Sequence, residues 1–308
     1  MVVYAYPRFS KYDLGFVRLL GPGLGNLLFP WARCVIACRS GNLIPVAPTW
    51  PQIKIGPLLR CETDKRTYVG LFNPRNGEVS GLKKMRLLIS ATRVPEAMLS
   101  RATWVTGRVP TLVEFTGMDG LFGPLFGEHE FTLEQLRAMT KPAILASVEQ
   151  IRPQIGIHVR LGDFTLPRND EERRKGRWST RLPIDWYIHA LQAVRMAAGC
   201  SLEAKVFSDG SEKELRPLLA LQGVARVTAG SSIADLLAMS RSKILIASGS
   251  TFSMWASYFG RMPTIWHPGQ LRQRLYPATQ GLEVEYNSGE RLPDSFIDSV
   301  NRVSRKDA

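Results

Sequence analysis

Long apolar runs are missing from this chain. Nowhere do eighteen consecutive apolar residues occur, so no membrane-crossing helix is expected. The stretch Met1 to Asp13 lacks the charged lead and apolar core of a secretory signal, and the expected compartment is the cytoplasm. Cysteine is scarce. Its four copies, Cys34, Cys38, Cys61 and Cys200, are too few and too scattered for a disulfide framework. Cys34 and Cys38 stand one helical turn apart, but no histidine or second cysteine pair lies near them, so helix packing outweighs a metal site. His129, His189 and His267 have no companions at zinc-ligand spacing. No Asp-x-Asp pair is available to hold a metal–diphosphate. Internal repeats and low-complexity tracts are absent too.

What is present describes a folded protein. The 308 residues are 44% hydrophobic and 22% charged, which suits one large domain or two ordinary ones. A formal charge of +13 implies an anionic partner: nucleic acid, a nucleotide ligand or a membrane surface. Basic residues concentrate at Lys83-Lys84-Met85-Arg86 and Arg173-Arg174-Lys175-Gly176-Arg177. Each group reads as a solvated face or as a contact for anionic lipid headgroups or a lipid-linked acceptor. The nucleic-acid reading is disfavoured, since no basic–aromatic platform or nucleic-acid motif accompanies the charge.

The second half alternates regularly. Strands are expected at Ile155–Val159, Lys205–Ser208, Val224–Thr228, Ile244–Ala247 and Thr264–Trp266. Helices between them fall near Ile184–Ala198, Glu212–Leu221, Ile233–Ser240 and Phe252–Phe259. This pattern predicts a parallel, doubly wound sheet with ligand in the crevice at the carboxyl ends of its strands. The first half is less regular. Leu14–Leu20 reads as a strand, Asn26 as the cap of a helix reaching Arg39, and 41–60 as loop because of its prolines. Region 61–130 gives little, and a helix over 132–150 leads into the second domain. The expected division is 1–150, 151–290, and a C-terminal segment 291–308 whose helix packs back across a cleft.

Four segments could carry chemistry. In Gly156-Ile157-His158-Val159-Arg160-Leu161-Gly162-Asp163, alternation places His158 and Arg160 on one face of the strand. A cation that cannot lose its charge, fixed at a strand's carboxyl end, suits a phosphate. Gly21-Pro22-Gly23-Leu24-Gly25-Asn26 fails the dinucleotide fingerprint; it remains either a tight turn or an anion or sugar site at a helix start. Phe207-Ser208-Asp209-Gly210 ends a strand with a carboxylate that could accept from a nucleoside or cap the next helix. Ser248-Gly249-Ser250-Thr251-Phe252-Ser253 puts hydroxyls at a helix N-terminus, as ordinary caps or as a phosphate cradle.

Together, in this order, these segments resemble the α-1,2-fucosyltransferases and, more distantly, the α-1,6- and protein O-fucosyltransferases. The resemblance runs through Gly23-Leu24-Gly25-Asn26 with Phe29, then His158, Arg160 and Asp163 of a His-x-Arg-Arg-x-Asp motif. It continues through Leu182-Pro183-Ile184-Asp185-Trp186-Tyr187, Phe207-Ser208-Asp209, Asp235-Leu236 with Met239-Ser240, and Ser250-Thr251-Phe252-Ser253-Met254-Trp255. Two positions depart: Leu161 replaces the motif's second arginine, and Gly249 replaces the asparagine that opens the last run. The resemblance implies an α/β, GT-B-like architecture of two Rossmann-like domains facing a central cleft. It also implies an inverting glycosyltransferase, without metal or other cofactor, that uses GDP-L-fucose as donor substrate. Arg160 would then bind the β-phosphate, His158 and Asp209 the guanosine, and Ser250, Thr251 and Ser253 the diphosphate, with Asn26 reaching in from the N-terminal domain. The acceptor would be an oligosaccharide or lipid-linked glycan in surface-polysaccharide assembly, with the protein cytoplasmic or peripheral to the inner membrane and with no nucleic-acid partner. For the general base, Asp163 is nearest in sequence, although it could instead orient Arg160. Asp13 and the acidic residues of the 168–181 loop are the other candidates. That loop reads as a closing lid or as a surface excursion. A transferase with a different nucleotide sugar is the alternative.

Overall fold

The computed structural model describes residues 2–39, 41–56, 66–100, 109–169, 171–172 and 179–305. The whole second basic cluster, much of the 168–181 loop and Cys61 lie outside the described residues. The chain divides into two compact units, Met1–Leu145 and Ala146–Ala308.

The first unit contains β1 (Val3–Pro7), β2 (Tyr12–Asp13), β3 (Arg18–Leu19), α1 (Leu24–Cys38), β4 (Ile44–Pro45) and β5 (Gln52–Ile53). It continues with α2 (Gly81–Ser90), β6 (Thr92–Pro95), β7 (Thr111–Phe115) and α3 (His129–Met139), while α4 (Pro142–Glu149) runs over the unit boundary. Its main sheet is parallel, in the order β4-β1-β7-β6. Leu27, Leu28, Trp31 and Val35 are buried along α1, the i, i+4, i+8 stripe of a helix on a sheet.

Three expectations change here. Leu14–Leu20 is not one strand but a hairpin: Gly15, at φ +85°, turns the chain so that Asp13 pairs with Arg18. Asn26 does not cap α1; Gly23 is the N-cap and Asn26 lies in the first turn, its amide N–H donating to the Gly23 carbonyl at 3.0 Å. The helix over 132–150 is two helices, since Pro142 has no amide hydrogen and drives Lys141 out of the helical region.

The second unit alternates strictly: β8 (Ile155–Val159), α5 (Ile184–Ala198), β9 (Ala204–Ser208), α6 (Glu212–Leu219), β10 (Val224–Arg226) and α7 (Ser232–Met239). Then come β11 (Ile244–Ile246), α8 (Thr251–Gly260), β12 (Thr264–Trp266), β13 (Glu283–Glu285) and α9 (Asp294–Ser304). The six strands are all parallel, in the order β10-β9-β8-β11-β12-β13. β8 is central and every residue in it is buried; Ile157 lies beside Val206 on one side and Ile246 on the other. Strands buried on both faces read as continuous apolar runs, which is why this half was legible. Strand order reverses between β8 and β11, and in doubly wound sheets the crevice outside that switch point takes the ligand. The C-terminal helix α9 packs on α5 within this unit.

Candidate functional site

His158 of β8 and the turn that follows β11 meet at the switch point. His158, the fourth residue of β8, is fully enclosed. Its Nδ1 lies 2.7 Å from Ser253 Oγ and 3.0 Å from Ser248 Oγ. Ser248 Oγ in turn lies 3.0 Å from Ser250 Oγ and 3.1 Å from Ser253 Oγ. Burial, with Arg160 close by, holds the His158 pKa down at about 3, so the ring is neutral in the physiological range. It therefore serves as a rigid hydrogen-bonding hub rather than a proton carrier.

The serine run shows both of its expected roles. Ser250 is the N-cap of α8 and accepts from the Ser253 amide at 3.3 Å, while Ser248 and Ser253 tie the turn to β8 through His158. Thr251 opens the helix beside them. No acidic residue occupies the first turn of α8, so no carboxylate there offsets the positive end of its dipole.

Arg160 is held from two sides. Nη2 donates to Asp163 Oδ1 at 2.5 Å, and Nη1 pairs with Asp209 Oδ2 at 2.6 Å. The guanidinium also stacks over Phe164 at 5.4 Å. A guanidinium carries five N–H donors in a rigid fork, and these two carboxylates hold it through Nη1 and Nη2. Asp209 does not cap the next helix; Ser211 does, in a reciprocal capping box with Glu214. Asp209 instead receives the Leu161 amide at 2.8 Å and so fixes the bend just past β8. The bend needs Gly162, because a Cβ there would run into the Asp209 carboxylate. Leu161 is buried against Gly210 and brings no charge to the site.

Residues given no role in the sequence analysis lie close by. Tyr187 on α5 is buried, and burial together with the Asp209 charge pushes its hydroxyl well above the usual value. Gln270 is fully buried and its carboxamide oxygen occupies the space a Cβ on Gly249 would need. Arg272 Nη2 donates to that same oxygen at 2.8 Å. Gly249 is the one sequence signal for this arrangement: the side chain missing there is replaced in space by Gln270.

In the first unit, Gly21 adopts φ +120° with the buried Arg18 guanidinium packed against it, so the glycine is required by local structure. The Leu24 amide at the start of α1 donates to Tyr68 at 2.8 Å. Asp13 accepts from Tyr6 at 2.5 Å and from the Gly15 amide at 2.9 Å. Lys84 is not a solvated member of its basic cluster. It is buried, donates to Thr49 Oγ1 at 2.9 Å, and is held at a pKa of about 8 by desolvation.

Solved structures similar to the chain include NodZ α-1,6-fucosyltransferase co-crystallised with GDP, at 13% identity and a TM-score of 0.49, over 86% of this chain and 94% of that one. A mutant of Arabidopsis thaliana FUT1 in complex with GDP is similar at 11% identity and 0.46, over 83% and 71%. POFUT1 in complex with GDP-fucose is similar at 12% and 0.40, over 83% and 98%. None of the curated proteins compared matches the chain. No helix among the described residues is long and apolar enough to cross a membrane. Residues 125–266 match the model described as glycosyl transferase family 11, a span that holds His158, Arg160, Asp163, Asp209 and the 248–253 turn. The resemblance read from the motifs is thereby met, and the chain is a glycosyltransferase related to that family.

Proposed function

We propose that the second unit binds GDP-L-fucose and that the protein transfers L-fucose, with inversion, to a hydroxyl of an oligosaccharide or lipid-linked glycan acceptor in surface-polysaccharide assembly. The observation that supports this reading is that, at the switch point of one parallel sheet, His158 of β8 is bonded to the hydroxyl-lined turn that opens α8, while Arg160, two residues further on, is anchored by Asp163 and Asp209. Charge builds on the leaving diphosphate as the glycosidic bond breaks. Pre-positioned N–H donors and a helix dipole lower the barrier there because they need no reorganisation.

In this reading Arg160 meets the β-phosphate with its remaining donors, and Ser250, Thr251 and Ser253 receive the diphosphate. His158 and Asp209 border the guanosine. Positive charge from the protein takes the part that a metal ion plays elsewhere, in keeping with a sequence that has no Asp-x-Asp pair. Asp163 orients Arg160, which leaves Asp13 and the acidic residues of the 168–181 loop as the bases for the acceptor hydroxyl. The fucosyl donor itself rests on the motif resemblance and on the family model.

Thermal-shift titration with GDP, UDP and CMP tests the donor class, because only a nucleotide bound by the native state stabilises it. GDP should raise Tm and the others should not; equal stabilisation by UDP ends the GDP reading. Coupled GDP release tests the transfer, with Arg160→Ala expected to lower kcat/KM at least about a hundredfold, roughly 2.7 kcal/mol of barrier. Near-wild-type turnover in that variant removes the role assigned to Arg160.

A further inference from the structure

The small sheet of the first unit, in the order β2-β3-β5, is turned inside out. Tyr12 pairs with Leu19 and Leu19 with Ile53, so these three lie in one row across the sheet, and they are 60%, 39% and 54% exposed. Their neighbours Asp13, Arg18 and Gln52 point the other way, and Arg18 is completely buried. Alternation normally hides the apolar row and wets the charged one.

The apolar surface continues past the sheet. Leu14 and Phe16 are exposed in the hairpin turn, as are Leu20 and Ile55 at the strand ends. The turn rests on α2, where Met85 lies against Gly15. On that helix Leu82, Arg86 and Ile89 share one face, at helical spacing, and all three are exposed. A contiguous apolar patch of this kind marks an interaction surface rather than ordinary solvent-facing chain.

Charge selects the occupant. The segments 11–20, 52–55 and 81–90 that build the patch contain Lys11, Arg18, Lys54, Lys83, Lys84 and Arg86 against a single acid, Asp13. Lys11, Lys83 and Arg86 are exposed beside the apolar residues. A second copy of the chain meeting this face symmetrically would set like charges against each other. Aliphatic side chains rimmed by cations instead match the boundary between acyl chains and anionic headgroups.

The geometry points to this face, formed by Tyr12, Phe16, Leu19 and Ile53 with Lys83 and Arg86, as a docking surface for an anionic lipid bilayer. Its residues belong to the first unit, and docking requires no nucleotide.

Co-sedimentation of the full chain with vesicles tests it, using phosphatidylcholine alone or mixed with phosphatidylglycerol. The protein should bind the mixed vesicles and scarcely the neutral ones. Raising salt from ~0.1 M to ~1 M, which shortens the Debye length from ~10 Å to ~3 Å, should weaken binding several-fold. The triple variant Phe16→Ser, Leu19→Ser, Ile53→Ser and the pair Lys83→Glu, Arg86→Glu should each lose at least about tenfold in vesicle affinity, with folding checked by circular dichroism. Wild-type binding by either variant overturns the inference. So does equal binding to neutral vesicles, or a dimer in light scattering that the triple variant dissolves. A wild-type protein that binds vesicles yet ignores GDP ends the donor reading alone; one that binds GDP yet ignores vesicles ends this one alone.

Discussion

Gly162→Ala is the sharpest probe of the donor side, because one added carbon reaches the group that holds Arg160. The new Cβ would overlap the Asp209 carboxylate, and that carboxylate is tied at both oxygens, to Arg160 at 2.6 Å and to the Leu161 amide at 2.8 Å. Neither tie can be kept if the carboxylate moves aside. Overpacking costs about 1–3 kcal/mol, and a lost charge-assisted hydrogen bond about 1.5–3 kcal/mol. The pair is partly exposed, so solvent screening discounts this, and about 2 kcal/mol of destabilisation is expected in denaturant titration. Turnover should suffer more: a displaced guanidinium forfeits contacts made in the transition state, and kcat/KM should drop by roughly two powers of ten. The double variant Gly162→Ala, Asp209→Ala separates mechanism from damage. Once the carboxylate is gone the extra carbon meets nothing there, so the double variant should be no worse than Asp209→Ala alone. Strict additivity of the two losses would refute the proposed clamp.

Acid should unfold the protein through His158. With a folded pKa near 3 against about 6.5 in the unfolded chain, the unfolded state binds the extra proton between those values. Stability attributable to this ring is therefore flat above about pH 6.5 and declines as pH falls toward 3. Glu283, whose carboxyl burial pushes up, works in the opposite direction. The comparison of Tm against pH for wild type and His158→Gln isolates the histidine, and identical slopes would count against it. Gly249→Ala should destabilise by about 1–3 kcal/mol because Gln270 fills its space, and Gln270→Ala in the same chain should restore part of that, as denaturant midpoints would show. Arg33→Ala should cost about 3 kcal/mol, since the guanidinium is bidentate to Glu96 at 2.9 and 2.8 Å and reaches the Thr116 carbonyl at 2.7 Å; a loss below about 1 kcal/mol in the same assay would contradict this.

The second unit was legible because its strands are short apolar blocks separated by amphipathic helices, and this pattern comes from burial on both faces of a parallel sheet. The serine turn and the His158–Arg160 strand end could be paired in advance for the same reason, since doubly wound topology brings such ends together. The partners of Asp209 could not: its bonds to Arg160 and the Leu161 amide depend on a bend that only Gly162 permits. Gln270 was invisible because nothing local ties it to a glycine twenty-one positions earlier. In the first unit the signals misled. The apolar run around Leu14–Leu20 suggested a strand, yet Gly15 folds it back and leaves the apolar side chains outside. β1 and β7 went unread because each is only five residues long, β1 ending on Pro7 and β7 opening on Thr111 and carrying Glu114.

The position of β8 also bears on how the protein breathes. A strand paired on both sides and enclosed along its whole length exchanges its amide hydrogens only when the domain as a whole comes apart. The amides of Ile157 and Val159 should rank among the slowest in the molecule, while those of the surrounding loops exchange early. On the proposed function, recognition would be built upon the least yielding part of the second unit, and the adjustment a sugar nucleotide requires on entry would come from the segments around that strand.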